Sequence, residues 1–263
     1  MDSFLFFLTR IYSLGLKAIA RYLSGGAYFC CYCQKRSLYF LPYRIGPGDV
    51  SQFISSMDLI GSDVANHSCA KCGSHDRERH LKLYFDQMGL NEIVAGSCIL
   101  HFAPERFFSD YLANLGPLNY IKADLHPIST DVKCVDVTKM QFDDNSFDLV
   151  VANHVLEHVG NDTLALSELN RVLRPGGLAI LQTPFSMILS KTFEDPGIHT
   201  DALRLQIYGQ EDHMRLYGSN IVEYIESFGF QSKVKEHGNL LASIDSGKYG
   251  VNPREPFFLF TKT

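Results

Sequence analysis

Two Cys-x-x-Cys pairs, Cys30-x-x-Cys33 and Cys69-x-x-Cys72, are residues whose type and spacing directly imply chemistry. Together they supply four thiolates, the donor set of a closed, tetrahedral structural zinc site. The 35 residues between the pairs exceed what a minimal ribbon needs, so the segment around Gly46-Pro47-Gly48 must loop out. Two disulfides are the competing reading. No secretory signal is evident, which favours reduced thiols and therefore zinc. Of the seven cysteines, Cys31 is a spare between ligands, while Cys98 and Cys134 sit in predicted strands and are expected to be buried apolar residues. His67 and His75 are substitute ligands that intact cysteine pairs make unnecessary.

A second group, His154-x-x-Glu157-His158, places two histidines four residues apart, on one face if the segment is helical. A third, denser group is Glu211-Asp212-His213 with Arg215, preceded by His199. Neutral histidine suits proton transfer near neutral pH.

The elements that must position these groups are legible around them. Phe147 to Ala152 is a Val-rich apolar run, bounded by Asp143-Asp144-Asn145 before it and Asn153-His154 after it. That pattern predicts a strand buried on both faces of a parallel sheet. Leu166, Leu169, Val172 and Leu173 recur at helical spacing, with Asp162 placed as the cap and Arg171 and Arg174 in the last turn. Pro175-Gly176-Gly177 should stop that helix before a second apolar run, Leu178 to Leu181. The unit is strand–helix–strand, with a right-handed connection.

FDLVVANHVLEHV followed by LNRVLRPGGLAIL resembles the second half of a class I S-adenosylmethionine-dependent methyltransferase, of the type-11-like group. The similarity extends from near Leu81 to the C-terminus and is strongest over Asp131–Pro184. It implies an α/β, doubly wound, Rossmann-like sheet of seven strands, the last antiparallel, with S-adenosylmethionine bound beyond the carboxyl ends of the strands. The first strand is Ser97–Phe102. The family usually has an acid and a Gly-x-Gly there; this chain has His101 for the acid, and Ala103 and Glu105 for the glycines. With Phe102 and Pro104 these form the expected cofactor loop, in which Glu105 must either turn away from the cofactor or contact it. A variant pocket, or a domain that has lost its cofactor, both follow from this departure. The second strand, Asn119–Ala123, presents Asp124 to the ribose. The third, Val132–Val135, presents Asp136 to the adenine amino group and Val137 or Met140 to its ring. Asn153 follows the fourth strand. Gln231–Glu236 and Phe257–Thr261 are the expected sixth and seventh strands, and Ser219–Phe228 the helix before them.

The H-x-x-E-H spacing also occurs in inverted zinc peptidases. Here it directly follows a buried strand at a cofactor site, where methyltransferases carry the same letters. His154 or His213 is the expected base, with Asp212 or Glu211 orienting it or binding substrate, and His199, Glu211 and Arg215 are the expected substrate-binding residues. TFEDP and GQEDHMRLYG look like a subgroup that pairs this fold with an N-terminal CxxC module. Sugar, glycan or small-molecule hydroxyls are the expected acceptors. RNA is the alternative, suggested by ribosomal-RNA methyltransferases with an N-terminal zinc site. A catalytically inactive methyltransferase-like binding or scaffold protein is the non-enzyme alternative.

With 263 residues and 46% apolar content, the chain suffices for one α/β domain and a small appendage. Its net charge of −5 and lack of a Lys/Arg run argue against a large nucleic-acid surface, although Lys35-Arg36 and Arg77-Arg79 are local basic patches. The expected organisation is an amphipathic N-terminal helix at 1–24, a zinc-ribbon-like module at 25–76 and the methyltransferase domain at 77–263. Arg10, Lys17 and Arg21 share one face of the first segment. The segment suits peripheral contact with the inner face of a membrane through residues 1–23, or protein packing, in a cytoplasmic protein.

Overall fold

A computed structural model describes residues 25–43 and 51–263. The expected N-terminal helix and the Gly46-Pro47-Gly48 loop lie outside them. Five two-residue strands come first: β1 (Tyr28–Phe29), β2 (Arg36–Ser37), β3 (Phe40–Leu41), β4 (Leu59–Ile60) and β5 (Ser68–Cys69). The longer apolar runs then give β6 (Cys98–Phe102), β7 (Asn119–Asp124), β8 (Val132–Cys134), β9 (Phe147–Ala152) and β10 (Leu173–Ile180). Next are β11 (Phe185–Ser186), β12 (Phe230–Ser232) and β13 (Leu259–Lys262).

Seven strands form one sheet in the order β12-β13-β10-β9-β6-β7-β8. β6 to β10 run parallel, and β13 is antiparallel to both neighbours. The helices Arg106–Asn114 and Asp162–Val172 lie in the connections after β6 and β9. Leu100, Val150, Val151, Ala179 and Ile180 are fully buried, as expected of strands covered on both faces. Each large apolar side chain removed from water contributes about 1.5–3 kcal/mol. Connections run from β6 outward through β7 to β8, then return to place β9 on the other side of β6. The sheet therefore has its switch point at β6/β9, where a crevice opens at the carboxyl ends.

Three local expectations change. Asn161, not Asp162, caps the helix Asp162–Val172: its side chain accepts from Leu164 N at 3.1 Å. Asp162 is turned inward and accepts from the Tyr217 hydroxyl at 2.7 Å. The Pro-Gly-Gly segment is absorbed into β10, where the ladder with β9 shifts register between Leu173 and Leu178 and Gly176 takes φ +75°. Arg174 lies beyond the helix and pairs with Asp148 at 2.5 Å.

The cysteine-bearing segment is joined firmly to the sheet domain. β4 pairs with β11, and β3 pairs with β5. Arg79, in the helix Asp76–Met88, is fully buried beneath the junction. Its guanidinium donates to the carbonyls of Asn66, His67 and Ser74 on one side and of Tyr249 and Gly250 on the other, at 2.6–3.3 Å. It also lies 4.0 Å over the Phe40 ring. Five carbonyls surrounding one buried cation offset its desolvation, which no single contact would do.

Candidate cofactor cleft and acceptor-side cluster

A cleft of about 540 Å³ opens beyond β6 and β7. Ala103, Pro104 and Glu105 form one wall, Asp124 and His126 to Ile128 another, and Cys72, Gly73, His75 and Arg77 a third. Ala103 holds φ +46°, the left-handed conformation that a glycine takes freely and an L side chain takes at a cost of about 1–2 kcal/mol. The loop thus has a glycine-like path without a glycine, fixed by Ala103 N donating to Ala123 O at 2.9 Å. Asp124 is half-buried in the cleft wall and accepts from His126 N at 2.7 Å through Oδ1.

Glu105 turns into the protein as well as bordering the cleft. Its Oε1 accepts from Asn153 Nδ2 at 2.6 Å and lies 3.4 Å from Arg77 Nε, while Oε2 lies 3.4 Å from His101 Nε2. Burial alone would raise its pKa. The His101 hydrogen bond and the Arg77 charge outweigh burial and hold the carboxyl below its ordinary value. His101, where the family has an acid, shares its Nδ1 with the Tyr120 hydroxyl at 2.8 Å. A histidine thus stands where an acid is expected, and an acid where a glycine is expected. Glu78 completes the wall: its carboxylate accepts from Phe107 and Phe108 N at 2.8 and 3.3 Å, capping the helix Arg106–Asn114 at its positive end. It also accepts from His75 N at 2.8 Å. Sequence reasoning missed Arg77 and Glu78 as site residues; His75 and Glu78 at capping-box spacing were the available signal.

The other expected cofactor residues divide. Asn153 is buried beside Glu105, and its Oδ1 has no hydrogen-bond partner among the described residues. Phe102 and Val137 belong to the hydrophobic core, with Met140. Asp136 is exposed and outside the cleft wall; its Oδ1 accepts from Thr138 N and Oγ1 at 2.8 and 2.7 Å, making it a turn residue here. β8 is the sheet edge and ends at Cys134, two residues before Asp136. Cys134 is exposed, contrary to expectation.

Cys30, Cys33, Cys69 and Cys72 converge, all as free thiols. Sγ separations of 3.7 Å for Cys30–Cys72 and 3.9 Å for Cys33–Cys69 are far too long for disulfides. They match the edge of a tetrahedron with Zn–S bonds of about 2.3 Å, which is about 3.8 Å. The thiols share hydrogen bonds: those from Cys69 and Cys72 hold Cys30 well below its ordinary pKa, while those with Cys30 and Cys72 raise Cys69 and burial pushes Cys33 up to about 12.

The acceptor-side residues lie outside the cleft wall. His154 takes φ +53° and is enclosed between two carboxylates, Glu157 Oε1 at 3.1 Å from Nδ1 and Glu255 Oε1 at 3.6 Å from Nε2. Burial would lower its pKa, but those carboxylates push it up to about 9. His154 is therefore a buried cation at neutral pH, not the neutral base expected. Glu255, which nothing in the sequence marked, also pairs with His80 at 3.1 Å.

Arg215 is 2% exposed, and its guanidinium donates to Glu194 and to the carbonyls of Leu156, Val159 and Gly160. It fastens two segments together and does not present a free cation to substrate. His199 is exposed, with Nδ1 2.9 Å from its neighbour Gly197 O. Glu211 is half-buried, and Asp212 is exposed and pairs with His158 at 3.2 Å, not with His213. His213 is buried, and that burial lowers its pKa, leaving it neutral.

Residues 107–181 match the family model described as "Methyltransferase domain". An uncharacterized protein of Methanocaldococcus jannaschii is 32% identical over 96 residues, covering 36% of this chain and 42% of its own. The demethylmenaquinone methyltransferase of Staphylococcus carnosus is 44% identical over 45 residues, 17% of this chain and 19% of that one. The chain thus spans less than half the length of these curated relatives. Among solved structures, an S-adenosylmethionine-dependent methyltransferase from Mesorhizobium loti is 16% identical at a TM-score of 0.47, covering 67% of this chain and 94% of that chain. Residues 107–181, from the helix after β6 to the end of β10, are thus similar to a methyltransferase domain, within a sheet of doubly wound α/β strand order.

Proposed function

We propose that this protein is an S-adenosylmethionine-dependent methyltransferase acting on a hydroxyl of a sugar, glycan or other small molecule. The supporting observation is the cleft beyond β6 and β7, whose wall holds a left-handed Ala103 and a half-buried Asp124, with Asn153 bonded behind Glu105. Asp124 would accept from ribose hydroxyls, and the Ala103-Pro104 backbone would lie along the cofactor. Glu105 braces this loop through Arg77, His101 and Asn153. S-adenosylmethionine, when bound, supplies an electrophilic methyl on a sulfonium, so the chain's main task is to align the acceptor and exclude water.

Cys30, Cys33, Cys69 and Cys72 would hold one structural zinc. Because Cys72 and Gly73 are part of the cleft wall, the metal would shape the cofactor site as well as stabilise the fold. A net charge of −5 favours a neutral acceptor over polyanionic RNA. Among the described residues, no helix is long and apolar enough to cross a membrane. The test is transfer of labelled methyl from S-adenosylmethionine into cell extracts fractionated into RNA, glycan and small-molecule pools. Label in the glycan or small-molecule pool supports the reading, and label confined to RNA contradicts its acceptor.

A further inference from the structure

The H-x-x-E-H sequence follows β9 on a turn, not on a helix whose face unites its two histidines. His154 is turned away between Glu157 and Glu255, while Glu157 and His158, on the short 3-10 turn Leu156–His158, face a third residue from elsewhere. That residue is His213. Ligand atoms of Glu157, His158 and His213 all lie within 4.8 Å of one another.

The two segments are locked in this arrangement. Met214 N donates to Glu157 O at 2.7 Å, and Arg215 holds the carbonyls around the same turn. The imidazoles of His158 and His213 stand edge to face, with centroids 4.7 Å apart. His213 is only 5% exposed, yet its Nε2 has no hydrogen-bond partner among the described residues. Its Nδ1 lies 3.1 Å from Tyr208 O, and a carbonyl can only accept. The proton therefore sits on Nδ1 and the lone pair on Nε2, an arrangement typical of metal-binding histidines. His158 repeats it, with Nδ1 3.2 Å from the Asp212 carboxylate. Glu157 is 1% exposed and is steadied by Thr183 Oγ1 at 3.0 Å. A buried ring nitrogen without a partner costs about 1–3 kcal/mol, so its retention beside a second imidazole and a carboxylate calls for an occupant.

We propose that Glu157, His158 and His213 bind a divalent transition-metal ion through one carboxylate oxygen and two Nε2 atoms, with Asp212 and the Tyr208 carbonyl orienting the rings. Two imidazoles and one carboxylate suit zinc, manganese, iron or cobalt better than magnesium or calcium, which prefer all-oxygen shells. Three protein ligands leave coordination positions open for an exogenous oxygen. One lone pair on His213 cannot both take a proton and hold an ion, and its convergence with Glu157 and His158 favours the ion. The proposal is independent of the methyl-transfer reading, because metal uptake is read without turnover.

The test uses the full chain with its cysteine site loaded with zinc, titrated with Mn²⁺ or Co²⁺ alone. The expected result is uptake of one further ion per chain, with cobalt giving ligand-field bands but no thiolate charge transfer. His213→Ala and His158→Ala should each weaken uptake by more than tenfold at unchanged cysteine-bound zinc. Asp212→Asn, which touches no ligand atom of the ion, should weaken it by about 10- to 100-fold. His158 is partly exposed, so its variant tests the site even if His213→Ala fails to fold. A wild-type chain that takes up no second ion at millimolar metal would overturn the proposal, leaving water as the partner of His213. So would His158→Ala and Asp212→Asn variants that bind as the wild type does.

Discussion

Replacing Glu105 with glycine would give the first loop the residue that the methyltransferases it resembles carry there, and the structure predicts that the change is harmful. The carboxylate accepts from Asn153 at 2.6 Å and faces Arg77 and His101 at 3.4 Å, with 7% of its side chain exposed. A hydrogen bond to a charged group is worth about 1.5–3 kcal/mol. Removing one member of a buried ion pair costs about 3–5 kcal/mol. Arg77 keeps 31% of its side chain open to the cleft, so part of that penalty is relieved by water. Together these give about 2–4 kcal/mol of lost stability for Glu105→Gly, and somewhat less for Glu105→Gln, which keeps the Asn153 contact. Because the folded-state pKa of Glu105 is lowered, its charge-dependent stabilisation is present above the unfolded value of about 4.3 and is lost as pH falls below it. The gap between wild type and Glu105→Gln in urea unfolding should therefore close under acid conditions. If Glu105→Gly is as stable as wild type at pH 7 and binds S-adenosylmethionine more tightly, the reasoning is wrong.

Other outcomes follow from the same geometry. Asp124→Ala should weaken cofactor binding by about 1–3 kcal/mol, read by calorimetry; unchanged affinity in a folded variant would remove Asp124 from the site. Elemental analysis should find about one zinc held by the four cysteines when no other metal is supplied. Stripping it with a chelator should weaken cofactor binding, because Cys72 and Gly73 are part of the cleft wall; full affinity in the metal-free protein would refute that coupling. Burial, and then the neighbouring His80, lower the pKa of His237 to about 4. Its stabilisation should thus be present above the unfolded value of about 6.5 and be lost as pH falls towards 4, at up to about 1.4 kcal/mol per pH unit. A His237→Gln variant should lose less stability than wild type between pH 7 and 4.5; equal losses would count against a buried neutral imidazole.

What was legible in the sequence was what local pattern encodes. The run Phe147–Ala152 is a strand with those ends, because a parallel strand covered on both faces must be continuously apolar. The cysteine pairs converge because their spacing already forms two knuckles. Asn161 was missed as a cap because Asp162 beside it is an equally good capping type, and only the inward turn to Tyr217 separates them. The Pro-Gly-Gly segment looked like a helix stop and a turn, yet it sits within β10 as a register shift, which depends on pairing with β9.

The site was less legible because its charges are settled by distant partners. His154 looked like a neutral base until Glu255, about 100 residues away, was found on its other side. Arg215 looked like a substrate clamp, but a buried guanidinium can fasten backbone carbonyls equally well. Asp136 followed a correctly expected strand, but that strand ends early at the sheet edge, leaving the side chain to bond with its own turn. Glu105 was read as a choice between turning away and contacting the cofactor. Its actual course depends on Arg77 and Asn153, which only the fold brings together.

The central claim is that the cleft beyond β6 and β7 binds S-adenosylmethionine despite lacking the expected glycines. Isothermal titration of S-adenosylmethionine and its demethylated product into the folded, zinc-loaded protein tests it most directly. The account predicts one site per chain for both ligands, weakened by Asp124→Ala in proportion for each. A folded, zinc-loaded protein that binds neither ligand would contradict it and leave a methyltransferase fold serving as a binding scaffold.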